Sequence, residues 1–92
     1  MKKQVIIKVF GQVQGVFFRS ETAEQAEQFG LFGWVRNEQD GSVKIIAEGE
    51  EKNLEKLIKF CKDGPKFAKV EKIEVEYKEA SGGFNEFFIR YD

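Results

Sequence analysis

The sequence predicts an α+β sandwich in which two helices pack on one face of a mostly antiparallel sheet. Segments with alternating apolar residues, typical of strands, occur near both ends and in the middle of the chain. Two other segments have apolar residues at helical spacing, which gives the order β-α-β-β-α-β with a short strand at the end. A length of 92 residues is that of one domain, so we expect residues 1–92 to form a single unit.

The first half of the chain contains two strands and a helix. Apolar residues alternate over residues 4–10, which predicts the first strand, and residues 11–17 form a loop with two glycines. A helix is predicted over residues 18–29, where a single stripe is formed by Phe18, Thr22, Ala26 and Phe29. Gly30 is the expected stop of this helix, and residues 31–37 form the second strand.

The second half begins at a hairpin turn. Asp40-Gly41 between two apolar segments is a strong signal for such a turn, and residues 42–48 form the third strand. The second helix covers residues 51–62, with an apolar face made of Leu54, Leu57, Ile58 and Cys61. Residues 69–78 form a fourth strand and residues 86–91 a short last one. This order is that of a ferredoxin-like sandwich, whose right-handed crossovers make the first two strands parallel with the third between them.

Composition excludes several classes of protein. The net charge is −1, which gives no electrostatic basis for nucleic-acid binding. A single cysteine excludes an internal disulfide and a CxxC motif, and the chain contains no His, the commonest ligand of transition metals. No apolar segment approaches the ~20 residues of a membrane span, and the N-terminus lacks a signal-peptide core. We therefore expect a cytoplasmic protein without a metal.

Arg19 and Asn37 are the candidate functional side chains. Because the first two strands are predicted to be parallel, the loop after the first strand and the end of the second lie at one edge of the sheet. Arg19 and Asn37 are therefore expected to share a crevice. Gly15 permits a positive φ, and free N–H groups at the start of a helix bind anions. The loop lacks the Walker and GxGxxG spacings, so loop chemistry alone leaves an ordinary surface loop as an open alternative.

Two separated motifs add a resemblance. GQVQGVFFR at 11–19 and GLFGWVRN at 30–37, followed by DGSV at 40–43, closely resemble the acylphosphatase family. The pieces AEG at 47–49 and GP at 64–65 agree, so the resemblance covers the chain as a single acylphosphatase-like domain. It implies a small cytosolic hydrolase that cleaves the carboxyl-phosphate anhydride bond of acyl phosphates to carboxylate and inorganic phosphate, without metal or organic cofactor.

The resemblance also implies roles for individual residues. Arg19 would bind the phosphoryl group and Asn37 would orient the attacking water. The phosphoryl oxygens would be held by the backbone N–H groups of Gln14, Gly15, Val16, Phe17 and Phe18. Inorganic phosphate and sulfate would compete for this site. Ser20 stands where many relatives carry a larger side chain, a departure that touches neither catalytic position.

Some roles stay open. Gln14 could bind through its side chain, although a loop role through its backbone is favoured. Phe17 could line the acyl side of the site, although packing is favoured. Glu38 and Asp40 lie near the same edge and are expected to be solvated rather than catalytic. The group that takes the proton of the water is not decided, and the phosphate itself is a candidate.

Two other functions are less favoured. A non-catalytic anion-binding or RNA-binding module would show exposed aromatics and basic flanks, which the third strand and the net charge do not supply. A carbamoyl-phosphate-handling domain resembling part of hydrogenase maturation proteins would be accompanied by zinc-finger cysteines. We therefore expect an acylphosphatase that acts as a monomer on a small molecule, with neither nucleic acid nor membrane as partner.

Overall fold

The computed structural model describes residues Met1–Asp92 and contains five strands and two helices. In chain order these are β1 (Lys2–Gln12), α1 (Phe18–Gln28), β2 (Phe32–Asn37), β3 (Val43–Glu50), α2 (Glu51–Asp63), β4 (Lys69–Glu79) and β5 (Phe87–Arg90). The predicted order of elements is confirmed, and no predicted boundary differs from the observed one by more than two residues. No helix is both long enough and apolar enough to span a bilayer.

The five strands form one sheet in the order β4-β1-β3-β2-β5. β3 pairs antiparallel with both β1 and β2, so β1 and β2 run parallel, as the sequence predicted. β4 pairs antiparallel with β1 at one edge, and β5 pairs parallel with β2 at the other. The ferredoxin-like arrangement is therefore confirmed, and β1 and β2 end at the same edge of the sheet.

The core lies between the sheet and the two helices. β1 and β3 are paired in a register that sets Val5 opposite Ala47, Ile7 opposite Ile45 and Val9 opposite Val43, and all six side chains are fully buried. The helices cover this face with Phe18, Thr22 and Ala26 from α1 and Leu54, Leu57 and Cys61 from α2. The helical stripes predicted from residue spacing therefore face the core, with Phe29 and Ile58 partly buried against it.

Cys61 is the only cysteine, and its side chain is completely buried on the inner face of α2. Burial disfavours the thiolate and raises the pKa of Cys61 to about 12. The thiol is free and is part of the packed core.

Gly30 terminates α1, as predicted, directly after the C-cap residue Phe29. Gly30 has a φ of 69°, and its N–H donates to the Glu27 carbonyl, while the Leu31 N–H donates to the Ala26 carbonyl. These two bonds form a Schellman motif and satisfy carbonyls at the end of the helix. Leu31 then enters the core before β2 begins.

The opposite face of the sheet carries an aromatic side chain between two cations. Trp34 is 8% exposed, and the guanidinium groups of Arg36 and Arg90 lie 5.0 and 4.8 Å from its ring centroid. Such contacts are cation–π interactions. Arg36 therefore faces away from its neighbour Asn37, as strand alternation predicted.

The Glu48 cluster fixes the β4–β5 connection to the sheet. The carboxylate of Glu48, which is 5% exposed, accepts hydrogen bonds from Gln4 Nε2 at 2.6 Å, Ser81 N at 2.8 Å, Ser81 Oγ at 2.7 Å and Gly82 N at 3.0 Å. Burial acts to raise the pKa of Glu48, but the hydrogen bonds from Ser81, Gln4 and Gly82 prevail and the pKa is lowered. The carboxylate is thus ionised and fully engaged at neutral pH.

Candidate functional site

The β1–α1 loop, residues 13–17, leaves a series of backbone donors without acceptors. Gly15 and Phe17 have positive φ angles of 73° and 65°. The backbone N–H groups of residues 14–17 donate no hydrogen bond within the protein, and no side chain caps the start of α1. Left-handed residues ahead of an uncapped helix N-terminus form a typical anion-binding geometry. A β-carbon on Gly15 would meet no atom within 4 Å, so conformation rather than space favours glycine there.

Arg19 follows this loop in the first turn of α1 and has no acidic partner. Its guanidinium makes no ion pair or side-chain hydrogen bond, and it lies 5.0 Å from the centroid of the Tyr91 ring. A cavity of about 260 Å³ adjoins it, lined by Val13, Gly15, Phe17, Phe18, Arg19, Ser20, Ile89 and Tyr91. The free charge of Arg19 therefore opens into a cavity with a largely apolar wall.

The neighbouring loop residues have distinct environments. Val16 packs against the core, whereas the Phe17 side chain is 69% exposed beside the cavity. Gln14 was favoured from the sequence as a backbone donor, and its side chain has a structural contact of its own. Its Nε2 donates to the carbonyl oxygens of Glu38 and Ser42, both at 2.9 Å.

Asn37 is the last residue of β2 and pairs in register with Val43. It lies on the face of the sheet shared with Val35 and Val43, which is the face covered by the helices. Its Oδ1 is buried and accepts no hydrogen bond. A buried amide oxygen without a partner is uncommon in folded proteins, so the end of β2 carries an unsatisfied acceptor.

The structure brings Arg19 and Asn37 to the same edge of the sheet but not into one cavity. Asn37 lines a second cavity of about 500 Å³, with Lys8, Arg36, Glu38, Gln39, Asp40 and Asp92. The shared crevice therefore stays a prediction. The hydrogen bonds of Gln14 link the β1–α1 loop to the turn that follows Asn37.

The two acidic residues near this edge are engaged with cations. Asp40 accepts hydrogen bonds from the Ser42 hydroxyl and backbone N–H and lies 3.1 Å from Lys8 Nζ, and these contacts hold its pKa at about 2. Glu38 Oε2 lies 2.7 Å from Arg36 Nε. No group of three or more cysteine or carboxylate side chains is arranged to hold a metal ion.

Comparison with known proteins decides the family. The family model for acylphosphatases matches residues 5–89. The chain belongs to the acylphosphatase family. An acylphosphatase of Rubrobacter xylanophilus is 49% identical over 96% of the chain and 80% of its own length. The crystal structure of acylphosphatase from Bacillus subtilis superposes with a TM-score of 0.93 at 41% identity, covering 99% of this chain and 100% of that one.

A larger protein contains a similar fold. The structure of full-length HypF, in a phosphate- and nucleotide-bound form, matches the whole chain with a TM-score of 0.86 and 30% identity, but over only 12% of its own length. The matches to acylphosphatases instead span most of both chains. Membership of the acylphosphatase family makes the protein a hydrolase of acyl phosphates, as the sequence predicted.

Sequence reasoning did not find Tyr91 or the side-chain role of Gln14. Tyr91 lies two residues after Ile89, just beyond β5. A strand of four residues does not indicate which strand it pairs with, so the position of Tyr91 beside the cavity could not be predicted. No local pattern indicates which carbonyls an exposed glutamine contacts. Both residues were visible only once the loop, the hairpin and β5 had been placed together.

Proposed function

We propose that Arg19 and the backbone N–H groups of residues 14–18 hold the phosphoryl group of the acyl phosphate, while Asn37 positions the attacking water. The observation that carries the proposal is the set of unpaired backbone donors in the β1–α1 loop, next to a guanidinium without an acidic partner. Such donors bind tetrahedral anions without further reorganisation. The apolar wall of the adjoining cavity would accommodate the acyl group, with Phe17 and Tyr91 at its mouth.

The reaction needs little covalent help from the protein. The leaving group of an acyl phosphate is a carboxylate, which departs without a strong general acid. Phosphoryl transfer passes through a loose transition state with charge on the equatorial oxygens, which a guanidinium and fixed N–H dipoles stabilise. This chemistry suits a site that contains one arginine and a series of amides and no histidine.

Asn37 would act by orientation. An amide takes no proton at neutral pH, so the residue contributes only hydrogen bonds. In the proposal the amide hydrogen-bonds to the water and directs a lone pair of the water oxygen at phosphorus, and no hydrogen bond within the protein occupies its Oδ1. Because Glu38 and Asp40 are engaged with Arg36 and Lys8, a phosphoryl oxygen of the substrate is the proposed proton acceptor.

The proposal also covers the oligomeric state, the location and the metal requirement of the enzyme. It works as a cytoplasmic monomer without a metal, and inorganic phosphate and sulfate compete with the substrate for the amides and Arg19. Gel filtration tests the monomeric state, and hydrolysis of benzoyl phosphate with EDTA present tests metal independence.

Two substitutions separate the proposed roles. Arg19→Lys keeps the charge but loses the planar pair of donors, so it should weaken inhibition by phosphate and lower kcat for benzoyl phosphate by about 10²-fold. Asn37→Ala should lower kcat by a similar ~10²-fold and leave the inhibition constant of phosphate nearly unchanged, because Asn37 contacts only the water. The measurement is a phosphate titration of each folded variant.

The outcomes are distinct. Equal loss of phosphate affinity in both variants would make Asn37 a phosphate ligand or part of the loop scaffold. Unchanged hydrolysis in both would place the catalytic site elsewhere on the molecule. Complete inhibition by EDTA that Mg²⁺ reverses would contradict the metal-independent mechanism.

A further inference from the structure

The side chain of Gln14 connects the β1–α1 loop to the hairpin between β2 and β3. Its Nε2 donates at 2.9 Å to the carbonyl of Glu38 and at 2.9 Å to the carbonyl of Ser42, which lie 24 and 28 residues away in sequence. A primary amide has two donor hydrogens, and both are used in these contacts. The whole donor capacity of the side chain is therefore directed at one turn.

That turn is internally bonded and adjoins Asn37. The Glu38 N–H donates to the Ser42 carbonyl at 2.8 Å, and the Gly41 N–H donates to the Glu38 carbonyl at 3.2 Å. Asp40 accepts from the Ser42 N–H at 3.0 Å. Gln14 is thus bonded to a closed turn that begins one residue after Asn37, while its own backbone lies in the series of unpaired N–H groups.

We infer that the Gln14 side chain is a positioning residue, which holds the β1–α1 loop and its phosphoryl group at a fixed distance from Asn37 and the water. The inference rests on the proposed roles of the loop and of Asn37. Arg19 and Asn37 line different cavities and share no hydrogen bond, so their relative position depends on the contacts that link their elements. A misplacement of about 1 Å between reacting groups can reduce the rate about 10²-fold.

A double-mutant cycle tests this role. Gln14→Ala should lower kcat for benzoyl phosphate roughly 10-fold or more, with little change in the inhibition constant of phosphate, since the backbone donors and Arg19 remain. In the Asn37→Ala background the same substitution should cause little further loss, because no positioned water remains to be displaced.

Gln14→Glu provides the second variant and Gln12→Glu its control. Glutamate keeps the shape of the side chain but cannot donate to two carbonyls at neutral pH, so Gln14→Glu should also lower kcat. Gln12 is exposed, makes no side-chain hydrogen bond and lies two residues away, and its substitution adds the same charge. Gln12→Glu should leave kcat close to the wild-type value.

Several results would overturn the inference. One is a wild-type kcat in Gln14→Ala, and another is an equal loss of kcat when this substitution is made in the wild-type and Asn37→Ala backgrounds. A third is a loss of phosphate affinity in Gln14→Ala that parallels its loss of kcat. The last is an equal effect of Gln12→Glu and Gln14→Glu on kcat. Failure of the proposed function is visible separately, since Asn37→Ala alone would then retain wild-type kcat. In that case the positioning role of Gln14 is contradicted as well.

Discussion

The polar groups at the two ends of β3 have opposite environments. Near Val43, the neighbouring Asn37 has a buried oxygen without a partner, and the backbone donors of the β1–α1 loop are also unpaired. Near the other end, the carboxylate of Glu48 accepts four hydrogen bonds from the β4–β5 connection and β1. An unsatisfied polar region thus adjoins one end of β3, and a fully satisfied one lies near its other end.

The contrast separates binding from stability. A buried acceptor without a partner reduces stability, and the unpaired polar groups at the Asn37 end are those that the proposed site uses for binding. A carboxylate with a full set of donors binds nothing further and instead holds two distant segments together. Removal of the Glu48 carboxylate should therefore change stability and spare activity, and removal of the unpaired Arg19 side chain should do the reverse.

Removal of the Glu48 carboxylate gives the largest expected change in stability. Glu48→Ala should lower the free energy of unfolding by about 2–4 kcal/mol, because donors of Ser81 and Gly82 lose their acceptor in a partly buried setting. Its kcat, measured well below the melting transition, should stay within about twofold of wild type, because distant sites act independently. Urea unfolding and an acyl phosphate assay on the same sample measure both quantities.

Arg19→Ala is the matched variant at the other end. Arg19 has no ion pair to lose, so the free energy of unfolding should change by no more than about 0.5 kcal/mol, while hydrolysis is severely reduced. If fully folded Glu48→Ala loses kcat, or if Arg19→Ala is strongly destabilised, the two ends are coupled and the separation fails.

Acid should remove the contribution of Glu48 selectively. The pKa of Glu48 is lowered in the folded state, so its stabilising contribution is present above the ordinary value of 4.5 and is lost as the pH falls through the folded pKa. Wild type should therefore exceed Glu48→Gln in stability at neutral pH, and the difference should shrink as the pH falls below 4.5. Urea unfolding of both proteins across this range gives the difference. A gap that widens on acidification would contradict the sign.

Two glycines provide the smallest and most specific test. Gly15 and Gly30 have φ angles of 73° and 69°, and a β-carbon on either would meet no atom within 4 Å. Each substitution to alanine should thus lower stability by a similar amount, about 1 kcal/mol. Only Gly15→Ala should also weaken inhibition by phosphate, because only Gly15 shapes the β1–α1 loop. Equal phosphate inhibition in the two variants would remove this loop from the site.

Most of the fold was predictable because it depends on local periodicity. The alternation of Val43, Ile45 and Ala47 predicted the inner face of β3, and the spacing of Leu54, Leu57 and Cys61 predicted that of α2. The parallel relation of β1 and β2 followed from the handedness of crossovers. That relation predicts that Arg19 and Asn37 lie at one edge of the sheet.

The remaining contacts were not predictable because they join segments far apart in sequence. Gln14 contacts carbonyls 24 and 28 residues away, and Glu48 contacts Ser81 at a separation of 33 residues. An exposed glutamine and a strand glutamate have no spacing that identifies their partners. The hydrogen-bond partners of such side chains depend on how loops approach one another. That approach is set by packing rather than by the local sequence.

Because Cys61 is buried, its reaction with a thiol reagent reports opening of the core. A single thiol with a pKa of about 12 and no solvent exposure cannot react with a thiol reagent while α2 is packed on the sheet. Covalent labelling therefore requires that α2 detach or that the chain unfold, and the labelling rate measures how often this happens under native conditions. The rate of core opening can therefore be measured in the wild-type protein with and without phosphate. The β1–α1 loop lies on another part of the surface.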